Sequence, residues 1–245
     1  MTSSAPTIAL VAGETSGDQL GAALVEKLRE RYPDARFVGI AGDMMQAAGV
    51  EAWWHADELA VMGLFEVLSH LRRLLHLRKL LLQKLLELKP DVLIGIDAPD
   101  FNLGLEIKAR RAGIRTVHYV SPTIWAWRER RVRKIARAAD LVLCLFPFEP
   151  GFYADHNVAA TYVGHPLADQ IEPDRDPQAA RLRLGLDTGS TTVSLLPGSR
   201  HSEVSRLAEP MIEAARILQT KHPGMQFVAA MARQSVEEEF RSEMQ

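Results

Sequence analysis

A small, polar segment stands where the first apolar run of the sequence passes into a helical pattern. It reads GETSGDQLG over 13–21. Small residues let the backbone approach a ligand, and the free amides of a helix N-terminus favour an anion or a polar sugar. The spacing departs from G-x-G-x-x-G, which argues against a nicotinamide cofactor. Glu14 is a candidate binding residue, whereas Ser16 and Asp18 suit ligand binding and helix capping about equally.

A second polar segment, IGIDAPDFN, occupies residues 94–102. Asp97 follows a buried apolar run directly, and ligands of open α/β sheets bind outside the carboxyl ends of the strands. A carboxylate in that place can accept a hydroxyl proton as a general base. Asp100, which follows Pro99, is better explained by turn and cap chemistry. Asp97 is therefore the candidate catalytic residue.

A third segment, LLPGSRHSE over 195–203, repeats the order of strand, tight turn and helix. Gly198 permits close approach of the backbone, Ser199 can donate a hydrogen bond, and Arg200 offers a planar fork that suits phosphate oxygens. These residues predict a diphosphate cradle, and an arginine in a solvated turn is the alternative. The sequence has no G-x-x-x-x-G-K-[ST] motif, which argues against a P-loop ATPase.

Aromatic and basic residues alternate in VSPTIWAWRERRVRKIARAAD over 120–140, which includes Trp127 and Arg128. This pattern suits nucleic acid, a phosphate-bearing substrate or an anionic membrane. A solvated basic helix whose tryptophans pack in the core is the alternative. The formal net charge of the chain is -2, so general nucleic-acid binding is not expected.

The segment LFEVLSHLRRLLHLRKLLLQKLLELK over 64–89 is both apolar and basic, with six lysines and arginines against two glutamates. Its leucines exceed what one core-facing stripe requires, which favours a helix that meets anionic lipid. A core helix with snorkelling cations, or a dimer face, is the alternative. The candidate membrane-facing residues are Leu64, Val67, Leu68, Leu71, Leu74 and Leu75.

Histidine and cysteine spacing predicts no metal site, because neither H-E-x-x-H nor C-x-x-C occurs. His118 and His165 lie at strand ends and could face a cleft, although core or surface histidines are commoner. The one cysteine, Cys144, lies within LVLCLF, where we expect a buried, reduced thiol. A reducing cytoplasm is favoured.

These segments must be positioned by an alternation of strands and helices, because apolar runs typical of buried parallel strands alternate with helical periodicity. The fold class is therefore α/β. Strands are expected at 8–13, 36–42, 92–96, 116–120, 141–146, 192–200 and 226–232, and helices at 16–31, 64–89, 103–112, 127–138, 202–221 and from 235.

Length and composition are those of an ordinary globular protein, with 245 residues, 47% hydrophobic and 24% charged. The proline-rich, charged segment IEPDRDPQAA predicts a domain boundary. We expect a Rossmann-like domain over 1–170, a linker over 171–190 and the start of a second domain over 191–245. No apolar run reaches the roughly 18 residues of a membrane span.

Seven segments in order resemble lipid-A-disaccharide synthase, a family of bacterial glycosyltransferases. They are IALVAGETSGDQLGA, ELAVMG, IGIDAPDFN, HYVSPTIWAWR, LVLCLFPFE, VGHPLAD and LLPGSR. The resemblance implies a GT-B fold, in which two Rossmann-like domains face a cleft without a bound metal or other cofactor. Family members are longer, so it also implies that the second domain is incomplete in this chain.

The resemblance further implies that UDP-2,3-diacylglucosamine donates its sugar to 2,3-diacylglucosamine 1-phosphate (lipid X), forming the β(1→6) disaccharide and releasing UDP. Arg200, with Gly198 and Ser199, would neutralise the departing diphosphate. Glu14, Ser16 and Asp18 would lie near the sugars. We expect Asp97 to act as the base, and the segment around Trp127 and Arg128 to meet the acceptor phosphate.

Substrates that stay in a membrane imply a peripheral enzyme on the cytoplasmic face of the inner membrane of a Gram-negative bacterium, within lipopolysaccharide synthesis. Two other functions are compatible with the same residues. A UDP-sugar epimerase of similar build would share the phosphate loop and would need no lipid-facing helix. A non-catalytic membrane or interaction module would bind vesicles without binding nucleotide.

Overall fold

The computed structural model describes residues 5–59, 64–123, 131–198, 201–231 and 234–244, with side chains throughout these ranges except at 64–70 and 235. The chain divides into two compact units, Met1–Ile171 and Glu172–Gln245. Parallel strands and helices alternate in each unit. The α/β fold class predicted from the sequence is confirmed.

The first unit is built on one sheet. Its strands are β1 (Thr7–Ala12), β2 (Arg36–Ala41), β3 (Glu51–His55), β4 (Val92–Ile96), β5 (Arg115–Tyr119), β6 (Leu141–Cys144) and β7 (Ala160–Tyr162). Its helices are α1 (Thr15–Arg31), α2 (Asp43–Ala47), α3 (Leu64–Leu88), α4 (Pro99–Arg111), α5 (Val132–Ala138), α6 (Glu149–Ala154) and α7 (Pro166–Gln170).

Within the described residues all seven strands pair in parallel, in the order β3-β2-β1-β4-β5-β6-β7. The strand order reverses direction between β1 and β4, where Ile8 of β1 is in register with Val92 of β4. Loops at such a topological switch point diverge to opposite sides of the sheet and leave a crevice at its carboxyl edge. The fold thus directs attention to the residues that follow β1 and β4.

Helices cover both faces of this sheet, because successive residues of a strand point to opposite sides. On one face, Leu10 and Phe37 are buried in a cluster with Val25 of α1. On the other, Val11 is buried in a cluster with Leu85 of α3. Burial of each large apolar side chain contributes about 1.5–3 kcal/mol. Burial from two sides explains why these strands have continuous apolar sequences.

The second unit holds a smaller parallel pair. Its elements are α8 (Pro177–Arg183), β8 (Thr192–Leu195), α9 (His201–Lys221), β9 (Gln226–Ala229) and α10 (Gln234–Ser242). Val193 of β8 is in register with Phe227 of β9. Side chains of α9 and α10, including Ile212 and Phe240, form its buried cluster. Helix α8 lies within 171–190, a range that the sequence predicts to be linker.

Several elements differ from the sequence expectation. Helix α4 begins at Pro99 rather than near 103. Its N-cap residue Ala98 has a left-handed, non-helical conformation, and proline suits the first helical position. Of the helix predicted near 127–138, Val132–Ala138 is helical, and 124–130 lie outside the described residues. The apolar pattern does not predict β3, because this edge strand is only half-buried. No helix in the described ranges is both long and apolar enough to cross a membrane.

Candidate functional site

The loops that follow β1 and β4 meet at the switch point because their residues are small. A Cβ atom placed on Gly13 would lie 3.0 Å from the Cβ of Ala98. A Cβ atom on Gly17, in the first turn of α1, would lie 3.6 Å from the carbonyl oxygen of Ile96. Larger side chains at these glycines would separate the two loops. The segments around Glu14 and Asp97, which are distant in sequence, are therefore neighbours in the fold.

Asp97 lies in a left-handed turn, the conformation that side chains with a Cβ atom usually avoid. Its φ angle is 50°, and that of the following Ala98 is 42°. Such residues cost roughly 1–2 kcal/mol each, although aspartate tolerates the conformation better than most. The Asp97 amide donates a hydrogen bond to the Tyr119 carbonyl at 2.8 Å, and the Asp97 side chain is half-buried. Strain of this kind clusters at functional sites.

Strain continues on the neighbouring strand. Val120, which follows β5, has a φ angle of 77°. The next residue, Ser121, is buried, and its hydroxyl lies 3.0 Å from the Tyr153 hydroxyl. Burial raises the pKa of Tyr153 to about 12. Burial is also the main reason that the pKa of the Cys144 thiol rises to about 12. Cys144 is fully buried, which confirms the expected buried thiol and makes it a poor nucleophile.

The start of α1 exposes the polar residues predicted from the sequence. Glu14 is the N-cap residue, and its side chain does not cap the helix. Glu14 and Ser16 are both exposed beside the switch point. Amides of the first helical turn lack intrahelical partners, so they favour an anionic or sugar oxygen. This geometry retains Glu14 and Ser16 as candidate binding residues.

Asp18 has a different role from the one expected. It is 4% exposed, and its carboxylate accepts hydrogen bonds from the amides of Gly42 at 2.8 Å, Met44 at 2.9 Å and Met45 at 3.1 Å. These amides begin α2, where a negative charge is favourable. Asp18 therefore anchors the β2–α2 loop instead of lining the site, contrary to the expectation from the sequence.

A buried polar cluster lies behind the Asp97 turn, and sequence reasoning identified only one of its members. His118 Nδ1 lies 2.7 Å from Glu106 Oε1, and both side chains are fully buried. Asn102, one helical turn before Glu106 on α4, donates hydrogen bonds to backbone carbonyls at the switch point. His118 thus packs inside the unit and does not face a cleft. The sequence signal for Asn102 and Glu106 was their spacing, which places two polar residues on the buried face of α4.

The second unit places the predicted phosphate turn where a strand passes into a helix. Gly198 follows β8 and has a φ angle of 128°, and a Cβ atom there would lie 2.5 Å from the Cβ of Glu203. Glycine is therefore required. Ser199 and Arg200 lie outside the described residues.

Helix α3 buries one face of its C-terminal half and exposes other leucines along its length, Leu80 and Leu86 among them. Leu81 and Leu85 are fully buried, which confirms the core-helix alternative for this half. Leu71 and Leu75 are 43% and 45% exposed, and Leu74 is half-buried. The side chains of Leu64, Val67 and Leu68 lie outside the described residues.

The basic segment over 120–140 approaches the Asp97 turn at Arg131. Arg131 Nη1 lies 3.7 Å from Asp100 Oδ1 in the first turn of α4. Trp127 and Arg128 lie outside the described residues. In the part of the chain that the structure describes, no three His, Cys, Asp or Glu side chains form a cluster able to hold a metal ion.

Solved structures share the fold at low sequence identity. UDP-GlcNAc 2-epimerase from Neisseria meningitidis bound to UDP-GlcNAc has a TM-score of 0.64 and 11% identity, over 98% of this chain and 68% of that one. Arabidopsis thaliana UGT89C1 complexed with UDP has a TM-score of 0.50 and 12% identity, over 85% of this chain and 62% of that one. The expected GT-B fold is confirmed, and at this identity the likeness shows the fold alone.

Sequence relatives are much closer. Lipid-A-disaccharide synthase of Xanthomonas campestris pv. campestris (strain 8004) is 57% identical over 228 residues, which are 93% of this chain and 52% of the relative. That of Klebsiella pneumoniae (strain 342) is 53% identical over 96% of this chain and 61% of the relative. The chain spans about half the length of the Xanthomonas relative. A family model described as LpxB, lipid-A-disaccharide synthetase, matches residues 8–245. The chain therefore belongs to the lipid-A-disaccharide synthase family.

Proposed function

We propose that this protein transfers 2,3-diacylglucosamine from UDP-2,3-diacylglucosamine to lipid X, forming a β(1→6) disaccharide 1-phosphate and UDP. The observation that carries the proposal is the position of Asp97 at the switch point, in a left-handed turn held by β5, in a chain of this family. A carboxylate fixed in this way is suited to orient one sugar hydroxyl.

An α-linked donor and a β-linked product require inversion at the anomeric carbon by one in-line attack. In the proposed step the acceptor 6-hydroxyl oxygen forms the new bond to that carbon as the bond to UDP breaks, and Asp97 takes the hydroxyl proton. General-base catalysis of this kind contributes about 10²- to 10⁴-fold in rate. The half-buried position of Asp97 supports the role, because the carboxylate retains access to a ligand.

The proposed leaving-group site is the turn before α9. Gly198 allows the backbone to approach, and the α9 N-terminus and Ser199 supply donors to diphosphate oxygens. Arg200 neutralises the charge that builds on the diphosphate as the bond breaks. The positive φ angle of Gly198 supports this role, because a residue with a Cβ atom would be strained there and would overlap Glu203.

The acceptor is proposed to lie over the first unit. Exposed Glu14 and Ser16 would contact sugar hydroxyls, and the basic segment with Trp127 and Arg128 would meet the 1-phosphate. The contact between Arg131 and Asp100 supports this arrangement, since it brings this part of the segment to the first turn of α4, which directly follows the Asp97–Ala98 turn. Two acylated substrates also imply contact with lipid.

We propose that the exposed leucines of α3 dock the protein on the anionic cytoplasmic face of the inner membrane. Leu71→Ser/Leu74→Ser/Leu75→Ser should reduce flotation with vesicles of phosphatidylethanolamine and phosphatidylglycerol. Leu182→Ser, at a leucine 69% exposed in the second unit, is the matched control and should float like the parent. Unchanged flotation of the triple variant would refute membrane docking through α3.

The family match favours sugar transfer over the two alternatives. The Neisseria meningitidis epimerase shares the fold at 11% identity, and this likeness says nothing of whether its reaction occurs in this chain. A non-catalytic module would retain vesicle binding while releasing no UDP. Membership of the synthase family is shown by the match over 8–245 and favours neither alternative.

The decisive experiment measures transfer of isotope from labelled UDP-2,3-diacylglucosamine to lipid X in mixed micelles, with Asp97→Asn as the test variant. Asparagine keeps the left-handed tolerance and the size of aspartate but cannot accept the proton, so we expect a loss of about 10²- to 10⁴-fold. Asp34→Asn, at an exposed aspartate that precedes β2 at the other end of the sheet, is the control and should retain activity. Full activity of Asp97→Asn with a native unfolding profile would exclude the proposed base.

A further inference from the structure

We propose that Asn102 is the positioning residue of the Asp97–Ala98 turn, and so sets the direction in which the Asp97 carboxylate meets its sugar hydroxyl. The catalytic part of this inference rests on the proposed function, whereas the conformational role of Asn102 does not depend on it. The turn needs such a residue because two successive side-chain-bearing residues, with φ angles of 50° and 42°, occupy the left-handed region.

One amide nitrogen joins the ends of both strands at the switch point. Asn102 Nδ2 lies 3.2 Å from the carbonyl oxygen of Val11 at the end of β1 and 3.3 Å from that of Ile96 at the end of β4. It lies 2.9 Å from the carbonyl oxygen of Asp97 itself. Two hydrogen atoms shared among three carbonyls fix their relative positions. A change at Asn102 would therefore release the turn and both strand ends together.

The chemistry of the site requires an amide donor. Within the described residues Asn102 is fully buried and its Oδ1 atom has no hydrogen-bond partner, so the side chain acts through its nitrogen alone. The reversed amide would direct its oxygen at three carbonyl oxygens, and so would an aspartate; both arrangements are repulsive and unsatisfied. The carbonyl cluster thus determines both the residue type and the orientation of the amide.

The helix that carries Asn102 is itself fixed behind the turn. Glu106, four residues further along α4, contacts His118 of β5 at 2.7 Å. Gly95 of β4 is in register with His118, and a Cβ atom on Gly95 would overlap Glu106 Oε1 and lie 3.0 Å from the Asn102 Cβ atom. Glycine in β4 therefore allows α4 to press against the sheet at this point. Asn102 is held rigidly enough to position the turn.

Hydrogen exchange of single amides tests the conformational role directly. The Asp97 amide donates to the Tyr119 carbonyl, so its exchange reports the turn, and the Leu93 amide within β4 reports general stability. We expect Asn102→Ala to accelerate exchange at Asp97 about tenfold more than at Leu93. Adding Ala98→Gly should remove most of that difference, because glycine adopts the left-handed conformation without strain.

The matched control is Thr116→Val. Its hydroxyl donates to the Ala138 carbonyl at 2.7 Å at the start of β5, so the variant loses a buried hydrogen bond away from the turn. We expect no greater acceleration at Asp97 than at Leu93 there, because Leu93 is the residue of β4 in register with Thr116. If Asn102→Ala does not fold, Asn102→Ser, which retains a small donor, carries the same comparison. Equal acceleration at the two amides in the Asn102 variant, unaffected by Ala98→Gly, would overturn the inference.

Transfer kinetics separate positioning from binding. A displaced base slows the chemical step, so Asn102→Ala should lower kcat by about 100-fold and change KM by less than about threefold. A fall in kcat no larger than that of Thr116→Val would overturn the catalytic part. If Asp97→Asn retains full activity while the exchange results hold, the proposed base fails and the role of Asn102 in the turn survives.

Discussion

Replacement of Gly95 by alanine tests whether α4 is pressed against β4 as closely as the structure places it. The new methyl group would overlap Glu106 Oε1 and lie 3.0 Å from the Asn102 Cβ atom. Overpacking of this kind costs about 1–3 kcal/mol. Displacement of the Glu106 carboxylate also breaks its 2.7 Å contact with His118, inside a region with no access to water.

A buried polar group that loses its partner costs about 1–3 kcal/mol more. We therefore expect Gly95→Ala to lower the free energy of unfolding by about 3 kcal/mol, in the lower half of the combined range of roughly 2–6 kcal/mol. For a unit of this size that corresponds to a fall in Tm of roughly 6–12 °C. The assay is urea unfolding followed by circular dichroism, with the Tm measured by calorimetry.

Gly151→Ala is the matched control, because a Cβ atom there meets nothing within 4 Å and the residue lies in helix α6. It should stabilise slightly, by about 0.5–1 kcal/mol. In a Glu106→Ala background the penalty of Gly95→Ala should shrink by at least about 1 kcal/mol, since the overlapping oxygen is gone. A Gly95→Ala penalty below about 0.5 kcal/mol, or one unchanged in that background, would refute the packing argument.

Three further outcomes follow from the described contacts. Asp18→Ala should destabilise by about 2–3 kcal/mol in urea, because three amides, two of them buried, lose a charged acceptor. Ser16→Ala, at an exposed residue, should change stability by less than about 0.5 kcal/mol. Leu85→Ala should cost about 2–5 kcal/mol by the same assay, and a smaller cost would contradict its full burial. Burial raises the pKa of Cys144 from 9.0 to about 12, so the native state holds a proton that the unfolded chain releases, and stability should fall as pH rises from 9 toward 12. The alkaline loss should be smaller in Cys144→Ala, and an identical profile would exclude this cause.

Local sequence was sufficient to predict most of the scaffold and the place of the candidate site. Continuous apolar runs marked β1, β2, β4, β5 and β6, because burial between two helical layers imposes that composition on each strand separately. Asp97 and Gly198 could be singled out for the same reason. Asp97 directly follows such a run and Gly198 stands three residues after β8, and the carboxyl end of a parallel strand is set by the chain direction alone.

Edge and short elements were less predictable. Strand β3 is paired on one side only, so its EAWWH sequence carries no continuous apolar pattern. Helix α3 shows the same limit in another form. Its leucines predict a helix, but only packing distinguishes buried Leu85 from Leu75, which is 45% exposed.

The roles of the polar residues around Asp97 were decided by tertiary structure. Asp18 is the same residue type as Asp97 and also follows a strand, yet its partner Gly42 lies 24 residues away and turns it into an anchor. Asn102 reaches the carbonyl of Val11 across 91 residues of sequence, and Glu106 meets His118 only because α4 folds back over β4 and β5. Spacing along the chain fixes which residues stand at strand ends, because it acts over a few residues. Which of them is left to meet a substrate depends on contacts between distant segments, and those exist only once the sheet has assembled.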